Sequence, residues 1–198
     1  MKHFIFDIET LAVKPRSAVI LSIGAVCFEY ENPKTFEELT KSGFYVKCDV
    51  REQLVAGGKT EEDTMAWWKK QSEDAQQVLR PCIADKKMFQ ALAMLDHWLT
   101  FHNHYDFDKD LIWSRGAAFD FPKIEYQCDK HGGKPNLNYW KVRDIRTFVD
   151  TLAGSTSGTF PIDDSLLPGF IYHNPLHDAA KDAATMQFLH HQLYGESP

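Results

Sequence analysis

Asp7 and Glu9 stand two residues apart in Phe4-Ile5-Phe6-Asp7-Ile8-Glu9-Thr10, a run that otherwise reads as a buried strand. Strand side chains alternate faces, so both carboxylates point the same way. Two adjacent anions on an apolar strand are costly unless a cation compensates them, and hard divalent metals take oxygen ligands. The strand therefore reads as half of a metal site. A solvated acidic face on an edge strand is the plain alternative, and an Asp-x-Glu pair by itself does not decide against it.

Two later segments shift the balance. Leu111-Ile112-Trp113-Ser114 followed by Arg115-Gly116-Ala117-Ala118-Phe119-Asp120 reads as a short strand, a glycine turn and a helix start, and it delivers a third carboxylate, Asp120. Asn174-Pro175-Leu176-His177-Asp178 leads into an alanine-rich stretch running towards Tyr194, a helix that delivers His177 and Asp182. At about 100° per residue, five positions on one helix would place His177 and Asp182 on different faces. His177 is therefore expected at the helix start or in the preceding loop, reaching over a site that Asp182 lines. Four carboxylates and one histidine from a first strand, a middle strand-helix junction and a last helix suit two-metal phosphodiester hydrolysis.

The elements that must position these residues follow from periodicity and punctuation. Strands are expected at 2–9, 18–28 and 43–48, joined as an antiparallel meander. Helices follow near 61–71 and 86–101, then a strand at 111–114, a helix near 120–131, a strand near 141–145 and the last helix. Alternating strands and helices in the second half predict parallel additions to the sheet. Pro122 fits if it falls in the first turn of its helix. The cluster Ala153-Gly154-Ser155-Thr156-Ser157-Gly158-Thr159 reads as a loop rather than a boundary, so residues 1–198 are expected to form a single domain.

Phe6-Asp7-Ile8-Glu9-Thr10, then Phe119-Asp120, then His177 with Asp182 resemble the three motifs of the DEDDh 3′-to-5′ exonucleases in the ribonuclease H-like superfamily, over nearly the whole chain. The blocks Thr64–Ser72, Trp113–Gly116 and Arg143–Thr147 are similar to those of the subgroup holding exonuclease A of T-even bacteriophages and related bacterial exoribonuclease-like proteins. The resemblance implies an α/β, ribonuclease H-like mixed sheet flanked by helices. It also implies removal of nucleoside 5′-monophosphates from the 3′ ends of single-stranded DNA or RNA, with DNA favoured and RNA trimming as the alternative. Two Mg²⁺ ions would be the cofactors, with Mn²⁺ as a substitute. Asp7, Glu9 and Asp182 would hold the first ion, Asp7 would also serve the second, and Asp120 would support that second ion. His177 would take the proton from the attacking water. Thr10 occupies the position that contacts the terminal nucleotide in the resembling family, and relatives often pair, so a homodimer is possible while the sequence does not fix the oligomeric state.

Other residues carry weaker signals. Trp67 and Trp68 are adjacent aromatics of which at most one can face a substrate base, and Trp68 is the candidate alongside Arg115, whose forked donors suit a phosphate. Arg143 beside Asp144 reads as a structural ion pair. With 43% hydrophobic residues, among them 14 Phe, 7 Tyr and 5 Trp, the chain can build a substantial core. No stretch is apolar enough to span a bilayer and the N-terminus does not resemble a signal peptide, which predicts a cytoplasmic protein without membrane contact. Cys27, Cys48, Cys82 and Cys128 lack a C-x-x-C pair, which argues against a zinc site and marks them as small core residues. A net charge of -6 argues against broad, sequence-blind duplex binding.

Overall fold

The computed structural model describes residues 1–132 and 137–195. Among these residues five strands, β1 (His3–Thr10), β2 (Ile20–Phe28), β3 (Phe44–Lys47), β4 (Leu111–Ser114) and β5 (Val142–Asp144), form one sheet in the order β3-β2-β1-β4-β5. β1, β2 and β3 pair antiparallel as the expected meander, and β4 and β5 add in parallel on the other side of β1. Every residue of β2 is buried, as befits an inner strand covered on both faces.

Among the described residues eight α-helices accompany the sheet: α1 (Phe36–Ser42), α2 (Val50–Val55), α3 (Glu62–Trp68), α4 (Glu73–Gln76), α5 (Met88–His97), α6 (Ala117–His131), α7 (Ile145–Ala153) and α8 (Pro175–Tyr194). Phe4, Phe6 and Ile8 of β1 pack with α5 and α6 on one face, whereas Ile5 packs with α1, α7 and α8 on the other. The alternation along β1 thus divides two cores, and it sends Asp7 and Glu9 to the α8 face. No helix among the described residues is long and apolar enough to cross a membrane.

Several expectations need correction. Helices α1, α2, α4 and α7 were not expected, although Thr35 and Glu38 form a reciprocal capping box at the start of α1, a signal worth about 1 kcal/mol. α6 begins at Ala117, so Pro122 sits inside the helix rather than in its first turn and withdraws one N–H from its hydrogen-bond ladder. Cys82 is exposed instead of belonging to the core, while Cys27 and Cys48 are buried. Arg143 does not pair with Asp144. The Arg143 guanidinium donates to the Trp140 and Val142 carbonyls, and the Asp144 carboxylate accepts from Ala117 N–H and Thr147 N–H, capping α7 and fixing the start of α6.

Candidate active site

The carboxyl ends of the parallel strands β1 and β4 open into a cleft of about 520 Å³ whose lining includes Asp7, Glu9, Arg115, Asp120, His173, Asp178 and Asp182. Its volume falls in the range typical of small-ligand sites. β1 supplies Asp7 and Glu9 from its last turn of pleat. A register shift between Glu9 and Thr10 ends regular pairing with β2 directly beyond them.

Asp120 arrives from the first turns of α6. Gly116, at φ +100°, makes the turn out of β4 that brings the helix back over the sheet. Asp120 is buried, accepts a hydrogen bond from the Ser114 hydroxyl, and burial pushes its carboxyl up to about 7, against the opposing pull of that hydrogen bond and of Lys123.

α8 lands on the sheet through Gly24, the residue opposite Asp7 on β2. A β-carbon there would lie 2.2 Å from both the Leu176 nitrogen and the Pro175 carbonyl carbon, so only glycine lets the helix N-terminus approach this closely. Asn174 caps the helix, its side-chain oxygen accepting from Leu176 N–H at 3.1 Å and His177 N–H at 3.4 Å, and Pro175 follows at the first helical position. The first turn then carries Asp178 into the cleft.

His173, immediately before the cap, enters the cleft from above. Its φ of +61° is unusual for a non-glycine residue, and its Nδ1 lies 3.8 Å from Glu9 Oε1. Ligand-capable atoms of Glu9, His173 and Asp178 all lie within 4.8 Å of one another. Trp67 and Trp68 hold the His173 ring edge-on, with centroids 4.7 Å and 6.0 Å away. Burial lowers the His173 pKa, which favours the neutral ring that can accept a proton.

The anionic crowd is poorly compensated. Burial first, and then the charge of Asp120, Glu9 and the α8 aspartates, raises Asp7 well above the carboxylate range. Burial followed by Asp178 does the same to Glu9, and burial followed by Asp182 lifts Asp178 to about 7. Asp182 has its own cation, although burial outweighs Arg115 and still raises its carboxyl above the usual value. Arg115 Nε donates to both its oxygens at 2.8 and 3.0 Å, Nη2 donates at 2.6 Å, and Nη1 reaches the Gly158 carbonyl. A forked pair of this kind offsets the carboxylate's charge and fixes its orientation.

The structure therefore brings Asp7, Glu9, Asp120, Asp182 and Arg115 to one cleft and leaves His177 out of it. His177 lies in the first turn of α8 with Nδ1 accepting from Ile171 N–H at 3.0 Å and its ring packed edge-on against Phe36. Its five-residue spacing to Asp182 is duplicated by His173 and Asp178, and only the second pair has its histidine off the helix. Arg115 is committed to Asp182 rather than open to a phosphate. Trp68 is 1% exposed and donates from Nε1 to the Thr10 carbonyl at 2.9 Å, which removes it as a base-stacking surface; Trp67 is the exposed member of the pair. Thr10 is buried with its hydroxyl donating to the Ala12 carbonyl.

A model of the family described as the 3′-5′ exoribonuclease Rv2179c-like domain matches residues 2–190. The chain belongs to this family. An exodeoxyribonuclease of Enterobacteria phage T4 is 31% identical to it, over 95% of this chain and 88% of the phage protein. Among solved structures, the nuclease domain of 3′hExo, a DEDDh family member bound to rAMP, superposes with a TM-score of 0.59 at 14% identity over 98% of this chain and 92% of that one. S. pombe Pop2p in its Mg²⁺- and Mn²⁺-bound form gives 0.63 at 12% identity, over 98% and 85%. E. coli exonuclease I in complex with a dT13 oligonucleotide gives 0.57 at 12% identity, over 98% and 41%. At these identities the structural likeness is one of fold, the mixed-sheet ribonuclease H-like arrangement expected from sequence. Family membership makes the protein a 3′-to-5′ exonuclease.

Proposed function

We propose that the cleft hydrolyses the terminal phosphodiester at the 3′ end of single-stranded nucleic acid and releases nucleoside 5′-monophosphates, with two Mg²⁺ ions held by Asp7, Glu9, Asp120 and Asp178. The observation that carries this reading is the convergence of Glu9, His173 and Asp178 within 4.8 Å, beside a strand that also presents Asp7. Buried Asp120 and half-buried Asp7, Glu9 and Asp178, with pKa values all raised, fit a hard cation, because such an ion would supply the compensating charge that the protein withholds. Mn²⁺, with the same preference for oxygen, would substitute. Bound divalent ions would polarise the scissile phosphate and lower the pKa of the attacking water.

His173, neutral and facing Glu9, accepts the water proton at the ring nitrogen turned into the cleft. Asp178 replaces Asp182 as the α8 ligand because Asp182 already has Arg115. Arg115 and Asp182 together hold β4 and α8 in register beneath the site, and Lys181, lying 4.9 Å from the Phe170 ring centroid, adds positive charge to the wall.

Identity to the phage T4 exodeoxyribonuclease along nearly the whole chain favours DNA, and the description of the matching family favours RNA as the second reading. Digestion of matched, 5′-labelled single-stranded DNA and RNA of one sequence in Mg²⁺ tests both. A descending ladder with faster loss of the DNA is expected. Faster loss of RNA selects the second reading, and immediate release of the labelled 5′ mononucleotide contradicts 3′-to-5′ action.

A further inference from the structure

We propose that the nucleic-acid strand upstream of the scissile bond leaves the cleft over Phe119 and follows a basic groove edged by Arg146, Lys14 and Arg16, with Lys123 in its floor. This rests on the exonuclease reading and adds to it the path of the substrate. The groove, about 280 Å³, adjoins the catalytic cleft and shares Phe119 and Arg146 with it. Its walls carry four cations and no carboxylate, in a protein whose net charge is -6. That segregation leaves a positive path beginning beside an anionic centre, which suits a chain carrying one phosphate per nucleotide.

Arg146 is the pivot. It is exposed and makes no hydrogen bond or ion pair among the described residues, although it stands near enough to Asp120 and Asp182 to feel their charge. Its side chain lies in a slot built from two glycines with positive φ. A β-carbon on Gly158 would fall 2.8 Å from Arg146 Cγ, and one on Gly116 would fall 2.6 Å from Nη1. The backbone thus makes room for this guanidinium at the mouth of the cleft while leaving its donors free.

Phe119 separates cleft from groove. Lys123 Nζ lies 3.4 Å from the Phe119 ring centroid and donates to the Phe119 carbonyl, so a cation underlies the aromatic surface over which the strand would pass. Beyond it, Lys14 is exposed, and Arg16 meets only Glu125 at 3.1 Å in a pair whose side chains are 66% and 58% exposed. Such a pair is weak enough to yield to a phosphate.

The test compares wild type with a Lys14→Glu/Arg16→Glu double variant, both positions being exposed and outside the core. Binding of 3′-phosphorothioate single strands is read by fluorescence anisotropy over a salt series, and turnover is read on a dinucleotide and on a strand of about twelve nucleotides. The variant should bind the long strand about tenfold more weakly, and its slope of log affinity against log salt should fall by about 0.7 per lost phosphate contact. KM for the long strand should rise with kcat kept, and the dinucleotide, which ends before the groove, should show little change. An equal loss on both lengths, or no loss on either, overturns the proposed path. If wild type turns over neither strand, the exonuclease reading fails separately, and the anisotropy series still decides the groove.

Discussion

Asp7 faces Gly24 across the β1–β2 ladder, and the hydrogen in place of a side chain at Gly24 is what lets the N-terminus of α8 settle beside that carboxylate. The strand that carries Asp7 and Glu9 and the helix that carries Asp178 are therefore coupled through one residue that has no side chain.

Gly24→Ala should then be damaging. The new methyl group meets backbone atoms of Pro175 and Leu176, which cannot rotate away, so α8 must lift. Overpacking of this kind costs about 1 to 3 kcal/mol, and each kcal/mol lowers Tm by about 2 to 4 °C at this chain length. Thermal melting should show that loss together with weaker stabilisation by Mg²⁺, since Asp178 moves with the helix. An unchanged melt and unchanged Mg²⁺ response would mean that the helix does not depend on this contact.

Asp178 and Asp182 should respond oppositely to neutralisation. Asp178→Asn removes one of several repelling anions and should raise the Tm of the metal-free protein while abolishing turnover. Asp182→Asn strands the Arg115 guanidinium and should lower stability by about 3 kcal/mol. Melting curves in EDTA check the signs. Stabilisation by both substitutions would show that the Arg115 pair does not offset the burial of Asp182.

The pH dependence of the metal-free protein follows from the same crowding. Asp120 and Asp178 move from an ordinary 3.8 to about 7 on folding. A group with a raised folded pKa contributes stability that is present below its unfolded value and is lost as pH rises through the folded one. Tm in EDTA should accordingly fall between about pH 4 and pH 7.5, and Mg²⁺ should restore it most at the alkaline end. A metal-free Tm that rises across this window would contradict the raised carboxyls.

Much of this was legible in the chain. Asp7 and Glu9 became legible once Asp120 and the last helix added further carboxylates to the pair on one face of the strand, and the meander followed by parallel strands follows from the order of elements. The choice of histidine was not legible from spacing, because His173–Asp178 and His177–Asp182 repeat the same interval four residues apart. The deciding signal lay in Asn174-Pro175. An asparagine cap with proline at the first helical position starts the helix before His177, so a histidine in the preceding loop has to be His173. The commitment of Asp182 to Arg115 could not be read at all, since the two residues are separated by most of the second half of the chain. Trp67 and Trp68 also needed the structure, because helix α3 alone does not say which ring turns inward.

If Glu9, His173 and Asp178 form the reacting edge of the site, kcat on a 5′-labelled single strand in Mg²⁺ should separate wild type, His173→Ala and His177→Ala measured side by side. Loss of a general base costs a factor of about 10² to 10⁴. His173→Ala should show that loss, whereas His177→Ala, which removes only an acceptor for Ile171 N–H and a packed ring, should stay within about tenfold of wild type and melt earlier. A collapse of kcat in His177→Ala with His173→Ala near wild type would contradict the account.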